Sequence, residues 1–494
     1  MRATTIKELK ASGYKSKSIK DELRDNLIKK LKKKEPLFTG ILGYDDTVIP
    51  DIERAILSRH NINLLGLRGQ AKTRIARQMT ELLDEWVPIV KGSELNDDPL
   101  SPVSRYATDL IAERGDETPV EWLHCSQRYA EKLATPDVSV ADLIGDVDPI
   151  KAANLKLNYA DERVIHFGLV PHSNRCIFVI NELPDLQARI QVSLFNILQE
   201  GDIQIRGFKL RVPLDIQFVF TANPEDYTNR GSIVTPLKDR IGSQIMTHYP
   251  KSMEHSKLIT KQEARLSEWQ QKNVEVGELL RNLIEQVAME ARESEFVDAK
   301  SGVSARLTIS AYENLVSTAE RRALLNGEDK TFARVSDLWG IVPAINGKIE
   351  LVYEGEQEGA AGVAQGLIGK AIRKLFTATF PDPGKLKKKK QNNPYQKVLD
   401  WFAEGNVVDF MLADDEKTYR KILDTVPALE ELVNEHSPNL AKSEKYVMKE
   451  FLLHGLAEHS QLSKAMLEKG LQFKDLFGSM FSSKDLGLNE EDFN

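Results

Sequence analysis

The sequence predicts an α/β fold in which helices cover both faces of a parallel sheet. Between residue 61 and residue 250, short apolar segments alternate with segments of helical periodicity. After residue 250, apolar residues recur at three- and four-residue spacing, which is typical of helices. We therefore expect an α/β unit followed by helical regions. The candidate strands of the α/β unit are residues 61–66, 121–126, 176–181, 216–223 and 243–250.

The length and composition indicate a folded protein of several domains. With 494 residues, a prior of roughly 100–200 residues per domain suggests about three domains. Hydrophobic residues make up 41% and charged residues 29%, which excludes a disordered chain. We predict a basic N-terminal segment (1–36), a nucleotide-binding α/β domain (37–250), a helical lid (251–350) and a C-terminal helical region (351–494). A Lys-rich linker is expected near 385–394.

Several function classes are disfavoured by the same sequence. No apolar run approaches the ~18 residues of a membrane helix, and the N-terminus lacks the apolar core of a secretory signal, so we expect a cytoplasmic protein. Cys125 and Cys176 lie in apolar stretches and are predicted to be reduced core residues. The net charge of −7 argues against nucleic-acid binding, and the basic runs 29–36 and 385–390 are predicted to be solvated tails or linkers.

Local patterns predict the elements around the strands. The Lys-rich first 36 residues predict a helix or two and then a linker, and an amphipathic helix is expected from about Asp46 to Arg59. Residues 91–106 are rich in Pro, Ser and Asp and predict a surface loop. Residues 163–168 predict part of a hairpin, and residues 201–218 predict a hairpin around Arg206-Gly207. Residues 354–366 mark a boundary or a helix start, and residues 395–494 predict an all-helical unit with a frayed acidic end.

The stretch "GLRGQAKTR" (66–74) is nearly a phosphate-binding loop. It follows a predicted strand and precedes a predicted helix. It departs from G-x-x-x-x-G-K-[ST] only at Ala71, where the last glycine is expected. Backbone N–H groups of such a loop cradle phosphate oxygens, Lys72 adds a charge and the Thr73 hydroxyl can ligate Mg²⁺. The predicted nucleotide-binding residues are Gly66, Arg68, Gly69, Gln70, Ala71, Lys72, Thr73, Arg74 and Asn181.

Further polar residues follow the later strands. The strand 176–181 ends in Asn181-Glu182, where a nucleotide motor places a metal-binding residue and an acid that orients the attacking water. The next strand delivers Asn223, which could hold that water or the terminal phosphate. Arg240 precedes the last strand, and an arginine finger there accelerates hydrolysis by ~10³–10⁵. Arg306 opens a helix of the helical segment and could touch phosphate when a lid closes.

Taken together, these motifs resemble the AAA+ ATPases of the MoxR and magnesium chelatase I-subunit branch. MoxR-type proteins commonly carry alanine before the lysine, as in "GQAKT". The similarity covers about residues 37–350 and includes "LFTGILGYDDTV", "ADLIGDVD", "GLVPHSNRCIFVINELPDL", "LQEGDIQIRGFKLRVPLDIQFVFTANPEDY" and "GVSARLTISAYENLVSTAERRALLNG". Residues 1–36 and 351–494 carry no such resemblance.

The resemblance implies an AAA+ P-loop core with a five-stranded parallel sheet of order 5-1-4-3-2, flanked by helices, and a helical lid. It also implies a homo-oligomeric ring, usually a hexamer, that binds ATP and Mg²⁺ and hydrolyses ATP at subunit interfaces. Lys72 and Thr73 would match Walker A, Glu182 the catalytic acid of Walker B, Asn223 sensor 1, Arg240 the arginine finger and Arg306 sensor 2. Arg230 is a further interface candidate. Such motors often work with a partner that carries a von Willebrand A domain, and they remodel protein clients or assist metal insertion.

One departure keeps alternatives open. The family has aspartate first in the Walker B pair, whereas this chain has Asn181, whose amide lacks the charge that favours Mg²⁺. Asp185, four residues on, cannot be assumed to replace it. A weakly hydrolysing ATP-binding scaffold or switch is therefore the second hypothesis. A nucleic-acid motor is the third, although no G-A-F-T-G-A loop or helix-turn-helix accompanies the negative net charge.

Overall fold

The computed structural model describes residues 2–157, 161–204, 211–224, 232–389, 393–467 and 470–476. The chain divides into two compact units, Met1–Tyr249 and Pro250–Asn494. No helix in the described ranges combines the length and the apolarity that crossing a membrane requires. The predicted domain boundaries stay predictions, and each unit is described by itself below.

The first unit contains the following described elements. Its helices α1 to α11 are Ile6–Ala11, Ile19–Lys33, Val48–Leu57, Lys72–Gln78, Arg105–Arg114, Val140–Leu143, Pro149–Leu155, Leu169–His172, Ala188–Ser193, Phe195–Glu200 and Thr235–Arg240. Its strands β1 to β11 are Ile62–Leu65, Trp86–Val90, Val120–His124, Tyr129–Leu133, Gly145–Val147, Ile165–Phe167, Ile177–Asn181, Asp202–Gln204, Arg211–Pro213, Gln217–Ala222 and Ser243–Met246. Short 3₁₀ helices lie at Met79–Leu82, Gly115–Glu117, Cys125–Gln127, Glu162–Val164 and Leu183–Asp185.

A five-stranded sheet of order β11-β1-β10-β7-β4 forms the centre of this unit. All four pairings are parallel. Counted along the chain, this order is 5-1-4-3-2, so the predicted fold class is confirmed. Side chains of β7 alternate between two apolar clusters, with Ile177 and Val179 in one and Phe178 and Ile180 in the other. Both faces of the sheet are therefore buried, as the near-continuous apolar strands predicted.

The second strand of the sheet was assigned wrongly from the sequence. Residues 121–126 were predicted to form it, but β3 pairs antiparallel with β2 outside the central sheet. The edge position is taken by β4, which pairs with β7. Strand β4 lies at the edge of the sheet, and its five side chains are half-buried or exposed. The apolar pattern of β4 is therefore weaker than that of β3, the hairpin strand that precedes it.

The N-terminal segment is part of the core of this unit. Ile19, Leu23 and Leu27 on α2 are fully buried against the apolar face of the sheet that contains Ile62 and Val179. The basic run 29–36 was predicted to be a tail or linker, but α2 continues through it to Lys33. A helix with apolar residues four apart needs a surface to cover, and the sheet provides it.

Other local predictions had mixed outcomes. Helix α3 and the pairing of β6 with β5 confirm the predicted amphipathic helix and hairpin. Strands β8 and β9 pair as predicted, and the proposed turn at Arg206-Gly207 lies outside the described residues. Residues 91–104 lie between β2 and α5 and form no helix or strand, which confirms the predicted loop. Part of this loop is buried rather than at the surface, because it folds around Asp97, whose carboxylate is fully buried and accepts hydrogen bonds from Val103 N (2.6 Å) and Ser104 N (2.8 Å).

Neither cysteine forms a disulfide. Cys176 precedes β7 and is buried, and this burial raises the pKa of its thiol to about 11. Cys125 is only half-buried in a 3₁₀ turn after β3, which corrects the prediction of a core position.

The second unit is mainly helical. Its helices α12 to α23 are Met253–Glu263, Glu268–Asn273, Glu278–Glu293, Arg306–Asn326, Val342–Asn346, Tyr353–Glu358, Ala360–Thr379, Pro383–Lys389, Gln396–Ala403, Glu416–Thr425, Leu429–His436 and Lys442–Glu458. Its strands β12 to β16 are Val274–Glu275, Thr331–Phe332, Val408–Met411, Leu462–Leu467 and Gly470–Asp475, and a 3₁₀ helix spans Val335–Ile341. The apolar faces of α14, α15, α18 and α23 meet in one large core.

Two details of this unit differ from the sequence prediction. The last hundred residues are not all helical, because β14, β16 and β15 form a three-stranded antiparallel sheet in that order. The Lys-rich segment near 385–394, predicted to be a linker, is helical up to Lys389. The acidic end 489–494 lies outside the described residues.

Candidate functional site

The predicted phosphate-binding loop connects β1 to α4, as the sequence indicated. Gly66 N donates to Ala222 O (3.1 Å), which ties the start of the loop to the end of β10. A Cβ at Gly66 would lie 2.0 Å from Thr247 Oγ1 and 2.2 Å from Gln70 Oε1, so only glycine fits there. The loop then turns through residues of positive φ, Gly69 at 74° and Ala71 at 58°.

Ala71 therefore adopts the left-handed conformation for which glycine is the usual residue. A side chain in this region costs roughly 1–2 kcal/mol. Ala71 O accepts a hydrogen bond from Ile75 N (2.9 Å), so the strained residue still begins the helix. The alanine preserves the shape of the loop at a modest energetic cost.

Lys72 connects this loop to the end of β10. Its ammonium group donates to Gly66 O, to Leu67 O (2.9 Å) and to Asn223 Oδ1 (2.8 Å). Asn223 is only 5% exposed and directly follows β10. Two residues predicted independently from separate motifs are therefore in direct contact.

Thr73 connects the loop to the end of β7. Its hydroxyl donates to Asn181 Oδ1 (3.2 Å), the position at which the resemblance placed a metal-binding residue. The same amide oxygen accepts a second hydrogen bond from Thr221 Oγ1 (3.2 Å). Thr221 Oγ1 in turn accepts from Glu182 N (3.1 Å). Lys72, Thr73, Asn181, Glu182 and Asn223 thus form one cluster at the carboxyl edge of the sheet.

The segment after β11 holds the loop from its other side. Thr247 Oγ1 donates to Gln70 Oε1 (2.6 Å), and Tyr249 OH donates to Arg68 O (3.2 Å). The Tyr44 hydroxyl lies 3.1 Å from Gln70 O and 2.7 Å from His248 O, and burial raises its pKa to about 12. A phenol that stays protonated keeps donating to these carbonyl groups across the physiological pH range.

The other predicted residues are the arginines at positions 74, 230, 240 and 306. Arg240 ends α11, donates from Nε to Gln199 Oε1 (2.9 Å) and lies 5.2 Å from the centre of the Phe195 ring. It therefore packs on α10 of its own chain rather than extending outward. Arg74 is exposed on α4. Arg306 is exposed at the start of α15 in the other unit, and Arg230 lies outside the described residues.

Several residues that shape the site were not identified from the sequence. Thr221, Thr247 and Tyr44 each donate to or accept from a predicted site residue. Thr221 could have been noticed as the one hydroxyl in the otherwise apolar "QFVFTA" of β10. Tyr44 and Thr247 carry no such signal. Each contacts Gln70, which lies 26 and 177 positions away in the sequence, respectively.

The residues present suit a nucleotide phosphate and, less strongly, a magnesium ion. The loop is a cradle that a side chain at Gly66 would fill, and it carries an ammonium group at its end. The oxygen donors of Thr73 and Asn181 suit a hard cation, but neither is charged. Among the residues that the structure describes, no group of three or more His, Cys, Asp or Glu side chains could hold a metal. Any Mg²⁺ here would depend on the phosphates for much of its coordination.

Comparisons with known proteins give distant structural matches. No family model and no curated protein matches the sequence. A proposed ATPase from Cytophaga hutchinsonii is 16% identical over 73% of this chain and 97% of its own, with a TM-score of 0.29. A model of the BchI–BchD complex of magnesium chelatase is 19% identical over 62% and 95%, with a TM-score of 0.32. NtrX from Brucella abortus is 14% identical over 81% and 72%, with a TM-score of 0.36. At these values the matches carry no argument about function.

Proposed function

We propose that this chain is an ATP-dependent ring motor of the MoxR and magnesium-chelatase type, which hydrolyses ATP to remodel a protein client or to assist metal insertion. The observation that carries this proposal is the convergence of Lys72, Thr73, Asn181 and Asn223 through direct hydrogen bonds. They meet at the carboxyl edge of a parallel α/β sheet, where such folds bind their ligands.

Each side chain has a distinct role in this proposal. Lys72 would exchange its carbonyl partners for phosphate oxygens, and Asn223 would hold the terminal phosphate or the water. Thr73 and Asn181 would hold Mg²⁺, which supplies charge neutralisation at the phosphates. Glu182 would orient the attacking water and accept its proton. Arg240 would act on the site of a neighbouring subunit, and Arg306 would serve as the sensor of the helical lid.

The assembly follows from the same proposal. An arginine finger that acts in trans requires a neighbouring subunit. For this arrangement we propose a hexameric ring of this chain in the cytoplasm. The partner would be a protein with a von Willebrand A domain, and the substrate a protein client. Arg240 packs on Phe195 and Gln199 in the single chain, so it would have to leave these contacts when a neighbour binds.

A second function is favoured by one observation. Asn181 is neutral, and its oxygen is already engaged by two hydroxyl groups. A metal held by uncharged ligands is held more weakly. The alternative is therefore an ATP-binding scaffold or switch that assembles with nucleotide but hydrolyses it slowly.

Steady-state phosphate release with Mg-ATP, measured over a range of protein concentrations, tests the proposal. We expect turnover that rises with concentration, disappears in Glu182→Gln and persists in the control Glu81→Gln, whose side chain is exposed on the 3₁₀ helix Met79–Leu82. Lys72→Ala should lose nucleotide binding. No turnover in the native chain, together with activity in Asn181→Asp, would overturn the motor and favour the scaffold. Unchanged ATP affinity in Lys72→Ala would refute both the motor and the scaffold.

A further inference from the structure

Thr221 is a buried hydroxyl that links two predicted site residues. It lies near the end of β10, is 3% exposed, and received no role in the sequence analysis. Strand β10 pairs with β7 through Phe220 and Ile180, so Thr221 and Asn181 are the next residues along the two strands. Its hydroxyl accepts from Glu182 N (3.1 Å) and donates to Asn181 Oδ1 (3.2 Å). The hydroxyl proton of Thr221 and one of its oxygen lone pairs are therefore both used in hydrogen bonds to Asn181 and Glu182.

The backbone of Glu182 is held in an unfavourable conformation. Its φ and ψ are 55° and 49°, in the left-handed region that a non-glycine residue seldom adopts. Immediately after it, Leu183–Asp185 form a 3₁₀ helix that contains Pro184. Backbone strain of this kind persists only where the surroundings enforce it. The hydrogen bond from Glu182 N to Thr221 is one such constraint, and it fixes the direction in which the Glu182 side chain leaves the strand.

The side chain of Asn181 is constrained by the same hydroxyl. Its Oδ1 receives protons from Thr73 on one side and from Thr221 on the other. Two donors on one amide oxygen fix which end of the amide faces the phosphate-binding loop. Thr221 therefore contacts both members of the Asn181-Glu182 pair, one through its side chain and the other through its backbone.

We propose that Thr221 is a positioning residue for ATP hydrolysis, and that its hydroxyl sets the orientation of Asn181 and Glu182 without touching the substrate. This inference rests on the proposed function. It assigns to Thr221 a role in turnover and none in nucleotide binding, since the phosphates would be bound by the loop and by Lys72, which is held by Gly66 O, Leu67 O and Asn223 Oδ1.

The test compares Thr221→Val, which keeps the shape and removes the hydroxyl, with Thr221→Ser, which keeps the hydroxyl. Displacing a catalytic group by about 1 Å costs ~100-fold in rate, so we expect kcat in Thr221→Val to fall about 10- to 100-fold. The dissociation constant for ATP should stay within about threefold, and Thr221→Ser should keep kcat within about threefold of the native chain. Thr118→Val is the matched control, because Thr118 is a fully buried threonine of the same unit whose hydroxyl donates to Gly115 O (2.6 Å). It should not change kcat.

The outcomes separate this inference from the proposed function. If the native chain hydrolyses ATP and Thr221→Val keeps its kcat, the positioning role is overturned while the motor stands. If Thr221→Val lowers ATP affinity as much as kcat, or Thr221→Ser is equally impaired, the residue is structural and the inference is again overturned. If the native chain releases no phosphate, the proposed function falls and this inference falls with it. Should Thr221→Val be poorly folded, Thr221→Ala removes the hydroxyl without adding a methyl group in its place, and the same expectations apply.

Discussion

Removing the guanidinium of Arg128 should destabilise the first unit strongly. Arg128 precedes β4 and is 1% exposed, and its two terminal nitrogens donate to the two carboxylate oxygens of Glu22 on α2, each at 2.7 Å. Its Nε donates to Arg175 O (2.9 Å), and Glu22 also accepts from Asp84 N (2.6 Å). This bidentate pair joins α2 to the edge strand β4 of the sheet.

The magnitude follows from the burial of both partners. In Arg128→Met the Glu22 carboxylate would remain buried without its counter-charge, and breaking a buried pair in this way costs about 3–5 kcal/mol. For a unit of this size, each 1 kcal/mol corresponds to about 2–4 °C in Tm. We therefore expect Tm to fall by about 6–20 °C. The double variant Glu22→Leu/Arg128→Met should be more stable than Arg128→Met, because no unpaired charge is left behind.

Differential scanning calorimetry of the full chain measures these shifts. The matched control is Arg77→Ala, which removes an ion pair to Glu131 whose side chains are 60% and 32% exposed. Exposed pairs contribute about 0–1 kcal/mol, so its Tm should change by only a few degrees. A shift in Arg128→Met no larger than that of Arg77→Ala would refute the reasoning. It would mean that α2 does not depend on this pair for its place in the core.

Two further expectations concern Arg240 and His454. Arg240→Ala should leave ATP affinity near normal and abolish turnover. Mixing Arg240→Ala subunits with Glu182→Gln subunits should restore activity only if the arginine acts in trans. If activity does not recover, the role of Arg240 in a neighbouring site is refuted. His454 is fully buried 3.8 Å from Glu450, and burial lowers its pKa below 6.5. Below about pH 6.5 the unfolded chain therefore binds a proton that the folded chain does not. His454 consequently has no effect on the free energy of unfolding above that pH, and lowers it by up to about 1.4 kcal/mol per pH unit below. Urea unfolding at pH 7.5 and 5.5 should show this loss, and His454→Leu should reduce it; an equal loss in that variant would exclude His454 as its cause.

The central sheet could be predicted where its strands are buried on both faces. Strands β1, β7 and β10 carry almost uninterrupted apolar residues, and the sequence identified all of them. Edge strand β4 reads Tyr-Ala-Glu-Lys-Leu and is half exposed, so its composition does not separate it from a loop. Strand β3 is more apolar and was chosen in its place. The antiparallel sheet of β14, β15 and β16 was missed for a related reason, because short alternating segments beside strong helices have no distinct period.

The site could be predicted to the extent that function concentrates at strand ends. The predicted site residues Lys72, Thr73, Glu182 and Asn223 each adjoin an apolar strand or its loop, so their positions along the chain suffice to select them as candidates. Thr221 lies inside a strand, where a threonine is ordinary, and only the pairing of β10 with β7 reveals its neighbours. Long-range contacts of this kind depend on strand order, which local sequence does not contain.

The amide at position 181 changes the charge of the site more than its shape. A carboxylate there would accept the same hydrogen bonds from Thr73 and Thr221, so the positions of these hydroxyl groups do not require aspartate. What is missing is one negative charge beside Lys72 and Glu182. Because a triphosphate is itself strongly negative, the neutral amide reduces the repulsion that ATP meets, while it weakens the attraction for Mg²⁺. Nucleotide affinity and hydrolysis should therefore respond in opposite directions to the residue at 181, and only measuring both distinguishes a slow motor from a nucleotide-binding scaffold.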